Sequence, residues 1–325
     1  ANTCNANGVE IASGMCALVG EALGISPSDV VVASTGVIGK TLSLEPIADA
    51  IPALVAALSR DGAPAAEAIM TTDLKKKEIA VEFTLGGKTC FIGGIAKGSG
   101  MIQPNMATML SFITTDAAIT PQMLQKALSA DVPESFNMVS IDGDTSTNDM
   151  VTLLANGLAG NPVVNTEGAD YDAFCAALRE VTLHLTRSIA GDGEGASKLL
   201  TCQITGAADK ASAKKLAKSV INSPLVKCSM FRADATWGRV LCALGYAGVP
   251  LDVHKIGVSF ASPAGTIAVC QNGAGLDFSE EFAKAVLAEA TVDILVTLAE
   301  GNAAATAYGC DLTYDYVKIN GDYRT

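Results

Sequence analysis

The sequence predicts a layered α/β protein with a large core. Of its 325 residues, 49% are hydrophobic, 17% are charged and 5% are aromatic. This composition favours a core of Ala, Val, Ile and Leu side chains, as in layered α/β folds. Runs with helical spacing also alternate with short strand-like runs along the chain. A prior of about 150 residues per domain allows one large domain or two.

The first third of the chain shows helical spacing before it shows strand alternation. Apolar residues at helical spacing predict helices over 8–24, 44–58 and 63–70, with Pro46 tolerated in a first turn. A short apolar run predicts a strand over 30–34 that leads into the turn Thr35-Gly36. Alternation around Gly86-Gly87 predicts a hairpin of strands 78–85 and 88–95.

The remaining elements follow the same two patterns. Helices are predicted over 121–130, 171–189, 210–220 and 234–244, and strands from 108 onward and over 136–141 and 199–207. Residues 255–297 alternate strands and a helix, which indicates a smaller α/β lobe over roughly 205–300. The chain then ends in a strand followed by a tail.

Several classes of protein and site are disfavoured by composition. A net charge of -12 and a pI near 4.6 argue against nucleic-acid binding, and the run Lys75 to Lys77 is expected to be a solvated face. No apolar run reaches the ~18 residues of a membrane span, and nine cysteines without C-x-x-C indicate a reducing compartment such as the cytoplasm. The two histidines lie outside any motif, so no metal site is predicted. The sequence also has no G-x-G-x-x-G motif, and no cofactor is predicted.

The segment KGSGMIQPNMATML, from Lys97 to Leu110, is the strongest candidate for chemistry. A Gly-rich turn would deliver Thr108 to the start of a strand, where its hydroxyl could attack the Ala107 carbonyl and cut the backbone. The new α-amino group of Thr108, with an ordinary pKa of about 7.7 to 8.0, would suit a general base. From spacing alone, a β-forming threonine remains the simpler reading.

The full string resembles the self-processing signature of the ornithine acetyltransferases, also called glutamate N-acetyltransferases or arginine biosynthesis bifunctional proteins. The resemblance covers the whole printed chain, and family members normally carry a further segment before it. It implies a self-cleaving fold of the N-terminal-nucleophile-like type, cut between Ala107 and Thr108 into an α chain, 1–107, and a β chain, 108–325. It also implies acetyl transfer from N-acetylornithine to glutamate through an acetyl-threonine intermediate.

Other motifs give site residues by the same resemblance. The family's S-T-G-V-I-G, M-T-T-D and D-G-E-G-A-x-K strings are all present. Together with KGSGMIQPNMATML and the C-terminal segment, they imply an oxyanion hole at Thr35 and Gly36, and substrate contacts at the following positions: Thr71, Lys97, Thr108, Glu194, Asn320 and Thr325. The resemblance further implies a heterotetramer of two α and two β chains acting on small molecules, without showing whether acetyl-CoA is also a donor.

Three alternatives stay open. A self-cleaving aminopeptidase would use the same nucleophile with water as acceptor. A metal-dependent phosphatase would use Asp142 and Asp144, which follow a predicted strand as D-x-D. A non-catalytic relative would bind the amino acid without being cut.

Overall fold

The computed structural model describes residues 5–103 and 109–322 as a mixed α/β protein with two sheets, which confirms the predicted class. Its helices are α1 Gly8–Leu23, α2 Glu45–Ala56, α3 Ala63–Ala68, α4 Pro121–Asp131, α5 Ala169–Gly191, α6 Lys210–Asn222, α7 Pro224–Phe231, α8 Trp237–Gly245, α9 Glu280–Ala288 and α10 Tyr314–Asp322. Its strands are β1 Lys77–Leu85, β2 Lys88–Lys97, β3 Leu110–Thr115, β4 Val139–Ser140, β5 Met150–Ala155, β6 Leu199–Ala207, β7 Gly257–Ser262, β8 Gly265–Gln271, β9 Ala274–Gly275, β10 Thr291–Thr297 and β11 Ala303–Cys310.

The four-stranded sheet has the order β1-β2-β3-β5. Its first two strands form the predicted hairpin, whose turn needs the positive φ of Gly86 and Gly87. Strand β3 pairs antiparallel to β2 and parallel to β5, so Lys97, Leu110 and Met150 lie side by side. The end of β2 and the starts of β3 and β5 therefore meet at one edge of the sheet.

The seven-stranded sheet has the order β4-β11-β6-β10-β7-β8-β9. Strands β6 and β10 are parallel, and β11 returns antiparallel beside β6. Strands β7 to β10 lie within the predicted smaller lobe, 205–300, and they extend the same sheet as β6 and β11. The division of the chain into lobes stays a prediction.

Helix α5 lies between the two sheets and contacts β1 and β2 on one side and β11 and β6 on the other. It is 23 residues long, and its buried side chains include Phe174, Leu178 and Leu185. The helix ends at Gly191, so the buried residues 192–194 begin at a fixed point. Helix α6 packs on β6 and β11.

Three element predictions were wrong. Residues 30–34 have no regular secondary structure and pair with no described strand, because their side chains are partly buried at most and Val31 is exposed, so no packed face holds them in a sheet. The predicted strand 136–141 is a 3₁₀ turn, Phe136–Met138, followed by the two residues of β4. The chain end after β11 is the helix α10 rather than a strand tail, and α7, capped by Ser223, was not predicted.

Within the described ranges, no helix has both the length and the apolarity that crossing a membrane requires. The eight cysteines in these ranges are free thiols.

Candidate active site

The structure brings part of the predicted site together. Lys97 ends β2, Glu194 follows α5 by a short turn, and Asn320 lies on α10. Thr35 and Gly36 lie in a segment without regular secondary structure before a turn, with Thr35 partly buried and Gly36 exposed. Three predicted residues, Ala107, Thr108 and Thr325, lie outside the described residues.

The Glu194 carboxylate is held by two side-chain donors. The Thr72 hydroxyl donates to Oε1 at 2.8 Å, and the Asn320 amide donates to Oε2 at 2.7 Å. The Glu194 backbone N–H donates to the Ser99 carbonyl at 2.8 Å, so the side chain projects over the turn after β2. A Cβ on Gly100 would collide with this carboxylate, which explains why glycine stands there. Both oxygens of the carboxylate are thus fixed in place.

Thr72, and not Thr71, provides the hydroxyl that reaches Glu194. Thr71 is exposed, and its backbone N–H donates to Asp73 at 3.2 Å. The predicted substrate contact of Thr71 stays a prediction, because no substrate is present. The two threonines are adjacent in M-T-T-D, so the sequence alone could not separate their roles.

A buried ion cluster of Lys77, Asp73 and Asp192 lies beneath this site. The Lys77 ammonium lies 2.6 Å from both Asp73 Oδ1 and Asp192 Oδ2, and all three side chains are at most 4% exposed. Burial alone would raise the pKa of Asp73, but the charge of Lys77 and hydrogen bonds from Gly98 and Thr71 hold it below its ordinary value. The predicted solvated face at 75–77 was therefore wrong for Lys77.

The ion cluster joins the two segments that form the Glu194 site. Asp73 follows Thr72 directly, while Asp192 comes two residues before Glu194. Asp192 Oδ2 also accepts the backbone N–H groups of Leu74 and Lys75, at 3.0 and 3.1 Å. Charge-assisted hydrogen bonds of this kind stabilise a loop strongly. The cluster therefore sets the distance between Thr72 and Glu194.

Lys97 provides a second charge at the site, and it is only 3% exposed. Burial lowers the pKa of its ammonium, while the nearby carboxylates of Asp73, Glu194 and Asp149 act in the opposite direction. The site thus presents a carboxylate and an amine of opposite charge near each other. This pairing suits a ligand that carries both an ammonium and a carboxylate.

The start of β3 is held by Asp149, which sequence reasoning did not single out. The Met109 N–H donates to Asp149 Oδ1 at 2.7 Å, and the Met150 N–H donates to the Met109 carbonyl at 3.0 Å. Burial raises the pKa of Asp149 to about 7, against the Met109 hydrogen bond and the charge of Lys97, which lower it. The preceding residue, Asn148, donates its side-chain amide to the Ser34 carbonyl at 3.0 Å. This connects the Thr35-Gly36 segment to the residue that follows Thr108.

The Asp142 carboxylate accepts hydrogen bonds, most of them from backbone N–H groups. Its two oxygens accept the N–H groups of Met101 and Ile102 at 2.7 and 2.9 Å, and the Asp144 N–H and the Tyr316 hydroxyl at 3.3 Å each. A phosphatase nucleophile needs a free carboxylate oxygen, so this bonding disfavours that alternative. Across residues 5–103 and 109–322, no group of three or more His, Cys, Asp or Glu side chains is arranged to hold a metal ion.

The residues that were missed carried weak sequence signals. Lys77 begins a strand whose alternate positions are partly or fully buried, so strand alternation was the available signal for its burial. Asp149 ends the polar run 142–149, and nothing in that run distinguishes it from the exposed Asp144. The run is satisfied internally only in part: the Asn148 N–H donates to the Ser146 hydroxyl, whereas the Thr145 hydroxyl and the Asn148 amide donate to the Gln103 and Ser34 carbonyls outside it.

A family model and several known proteins match this chain over its whole length. The model of the ArgJ family matches residues 1–325. The arginine biosynthesis bifunctional protein ArgJ 1 of Clostridium acetobutylicum is 50% identical over all of this chain and 80% of its own length. The ArgJ protein of Thermotoga neapolitana is 46% identical over all of this chain and 82% of its own.

A solved structure agrees with these relatives. The crystal structure of the arginine biosynthesis bifunctional protein ArgJ from Bacillus halodurans is 47% identical, with a TM-score of 0.64. The match covers 66% of this chain and all of that one. The resemblance inferred from the motifs is thereby confirmed, and the chain belongs to the ArgJ family.

Proposed function

We propose that the protein is a self-cleaving acetyltransferase of arginine biosynthesis that moves the acetyl group of N-acetylornithine to glutamate. The relatives carry the name arginine biosynthesis bifunctional protein, which supports an enzyme of that pathway. The observation that carries the proposal is a pair of buried side chains of opposite charge. Lys97 lies at the end of β2, and Glu194 lies in the turn after α5. An α-amino acid carries the complementary pair of charges.

In this proposal Glu194 binds an ammonium group and Lys97 the α-carboxylate of the amino-acid substrates. Thr72 and Asn320 hold the Glu194 oxygens, so the carboxylate is oriented before the ligand arrives. Thr71 and Thr325 are the remaining proposed contacts. Glutamate carries its ammonium group on the α-carbon, whereas the α-nitrogen of N-acetylornithine is acylated and its ammonium group is that of the side chain. Each substrate therefore offers one ammonium group to Glu194 and one carboxylate to Lys97.

Thr108 is the proposed nucleophile, and its α-amino group is the proposed base once the chain has been cut after Ala107. The hydroxyl attacks the acetyl carbonyl, ornithine leaves, and glutamate then takes the acetyl group from the threonine oxygen. The Thr35 hydroxyl and the Gly36 N–H are the proposed donors to the oxyanion. The hydrogen bond between Asn148 and the Ser34 carbonyl supports this, since it connects that segment to Asp149 and Met109.

Intact mass is the first test of the proposal. We expect freshly purified protein to give two pieces, with the second beginning at Thr108, because only a cut there creates the α-amine that the transfer needs. N-terminal sequencing identifies the new end. A single uncut chain would contradict the proposal and favour a non-catalytic amino-acid-binding relative.

Removing the charge of Glu194 tests the substrate subsite. We expect Glu194→Gln to raise KM for the amino-acid substrates about 10- to 100-fold, since a hydrogen bond to a charged group contributes about 1.5–3 kcal/mol. The matched control is Glu82→Gln, which makes the same change at an exposed position on β1. Initial rates over a range of N-acetylornithine and glutamate concentrations provide the measurement. An unchanged KM would show that Glu194 does not bind substrate.

A substrate panel separates the transferase from the self-cleaving aminopeptidase. Transfer to glutamate forms N-acetylglutamate, whereas the aminopeptidase releases amino acids from peptides with water as acceptor. Including acetyl-CoA in the panel tests it as a second donor. The cut chains 1–107 and 108–325 are also proposed to assemble as a heterotetramer of two α and two β chains.

A further inference from the structure

Glu194 lies in the turn 192–198 between α5 and β6. At its first residue, Asp192, this turn is anchored by the buried ion cluster described above. At its other end the turn is anchored by Asp311, a carboxylate that follows the last residue of β11. The proposed substrate contact therefore lies on a turn that is fixed at both ends by buried carboxylates.

The Asp311 carboxylate accepts hydrogen bonds from two consecutive residues of the turn. Its Oδ1 accepts the backbone N–H groups of Ser197 and Lys198, at 2.8 and 2.9 Å. Its Oδ2 accepts the Ser197 hydroxyl. Asp311 is 2% exposed, so these bonds are shielded from water, and bonds to a charged acceptor are stronger than those between neutral groups. The carboxylate thus fixes the last two residues of the turn.

Two glycines of the turn let the chain after β6's neighbour β11 lie directly against it. A Cβ on Gly193 would lie 2.7 Å from the Cys310 sulfur, and one on Gly195 would lie 2.5 Å from the Tyr316 backbone nitrogen. Both distances are too short for a real Cβ, so both positions require glycine. Glu194 lies between these glycines, so a shift of the chain after β11 would displace its carboxylate.

The same part of the chain also carries the residue that holds Glu194 directly. Asp311 starts the short connection between β11 and α10, and Thr313 in this connection donates its hydroxyl to the Gly195 carbonyl at 2.6 Å. Helix α10 then places the Asn320 amide 2.7 Å from Glu194 Oε2. The helix buries none of its own side chains, which leaves this connection to set where it begins. Asp311 is therefore linked to Glu194 by two routes, the turn and the helix.

We propose that Asp311 is a positioning residue for the substrate subsite and that it acts through Glu194. The inference rests on the proposed function, in which Glu194 binds an ammonium group of the substrate. Asp311 itself is bonded to the turn and does not contact the ligand. It keeps the Glu194 oxygens in the orientation that Thr72 and Asn320 hold, so the site is ordered before the substrate binds.

The test is the effect of Asp311→Ala on the kinetics of acetyl transfer. Alanine leaves the N–H groups of Ser197 and Lys198 without their acceptor, so the turn is free to shift. We expect KM for N-acetylornithine and for glutamate to rise about tenfold and kcat to change by less than about twofold, because a binding contact is misplaced while the chemical step is not altered. Initial rates give both constants, and intact mass shows whether the variant is cut like the wild type.

Asp311→Asn is the conservative variant. Its amide oxygen still accepts both backbone N–H groups, and its NH₂ group can donate to the Ser197 hydroxyl, so KM should stay within about twofold of the wild-type value. If Asp311→Ala does not fold, Ser197→Ala provides the comparison, since it removes only the bond to Oδ2 and should raise KM by a smaller factor. Equal increases in KM for Asp311→Ala and Asp311→Asn would overturn the proposal.

Asp209→Ala is the matched control. Asp209 also accepts a backbone N–H, that of Ser212 at 2.8 Å, but it is exposed at the start of α6. Its loss removes the same kind of hydrogen bond at a position remote in sequence from the turn 192–198. KM for both substrates should equal the wild-type value.

A double-mutant cycle with Glu194→Gln shows whether Asp311 acts through Glu194. In the Glu194→Gln background we expect Asp311→Ala to raise KM by less than about twofold, since the contact that it positions has already been weakened. An equal increase in both backgrounds would overturn the proposal, because the two residues would then act independently. An active wild type whose KM is unchanged by Asp311→Ala and by Ser197→Ala would overturn this inference alone. A wild type without transfer activity would overturn the proposed function, and this inference with it.

Discussion

Thr108→Ala is expected to leave the chain in one piece and to abolish acetyl transfer. The substitution removes the proposed nucleophile, and without the cut there is no α-amine to act as base. Loss of both groups should lower kcat by about three orders of magnitude or more, as in other enzymes that lose their nucleophile. Intact mass measures the cut, and formation of N-acetylglutamate from N-acetylornithine and glutamate measures the transfer.

Two further variants make the Thr108→Ala result specific. Thr108→Ser keeps a hydroxyl at the same position and should still be cut. Thr114→Ala changes an exposed threonine on the same strand, β3, and should behave like the wild type. If Thr108→Ala were cut and active, the proposed nucleophile would be wrong.

Lys77→Met is expected to lower the free energy of unfolding by about 3–5 kcal/mol. Removing Lys77 leaves the Asp73 and Asp192 carboxylates buried without their common cation, which is among the most costly single changes in a core. The measurement is urea unfolding followed by circular dichroism. It is made in the Thr108→Ala background, so that every molecule is a single uncut chain.

Lys76→Met is the neighbouring control for this prediction. Lys76 pairs with Glu78 at 2.6 Å, but both side chains are at least 35% exposed, so its loss should cost far less stability than the loss of Lys77. Equal effects of the two substitutions would show that the Lys77 cluster does not stabilise the fold. The contrast also tests burial directly, since the two lysines are adjacent in the sequence.

Local patterns were sufficient to predict most of the elements. The hairpin around Gly86-Gly87 and the strand 199–207 appear where alternation placed them, because turn chemistry and side-chain period act over a few residues. The segment 30–34 did not form a strand, since a strand also needs a partner that the local sequence does not specify. Motif resemblance predicted that Asn320 and Glu194, 126 positions apart, belong to one site, and their side chains are hydrogen-bonded.

The rest of the site depends on burial and on contacts distant in sequence. Lys77 looks like its two neighbouring lysines until Asp192, 115 residues later, is placed against it. Asp149 likewise becomes distinct only when the Met109 N–H is bonded to it. Patterns of residue type carry no record of such tertiary partners, so neither role could be read from the sequence.

The pairing of β2 with β3 has a consequence for the protein after the proposed cut. The two strands are neighbours in one sheet, joined from Ile92 opposite Thr115 to Lys97 opposite Leu110, and a cut before residue 108 falls in their connection. The Lys77–Asp192 ion pair also crosses from one product to the other. Pulling the pieces apart would expose both a strand edge and a buried face. Folding must therefore precede the cut, and renaturing the separated pieces would become a bimolecular reaction whose rate depends on concentration.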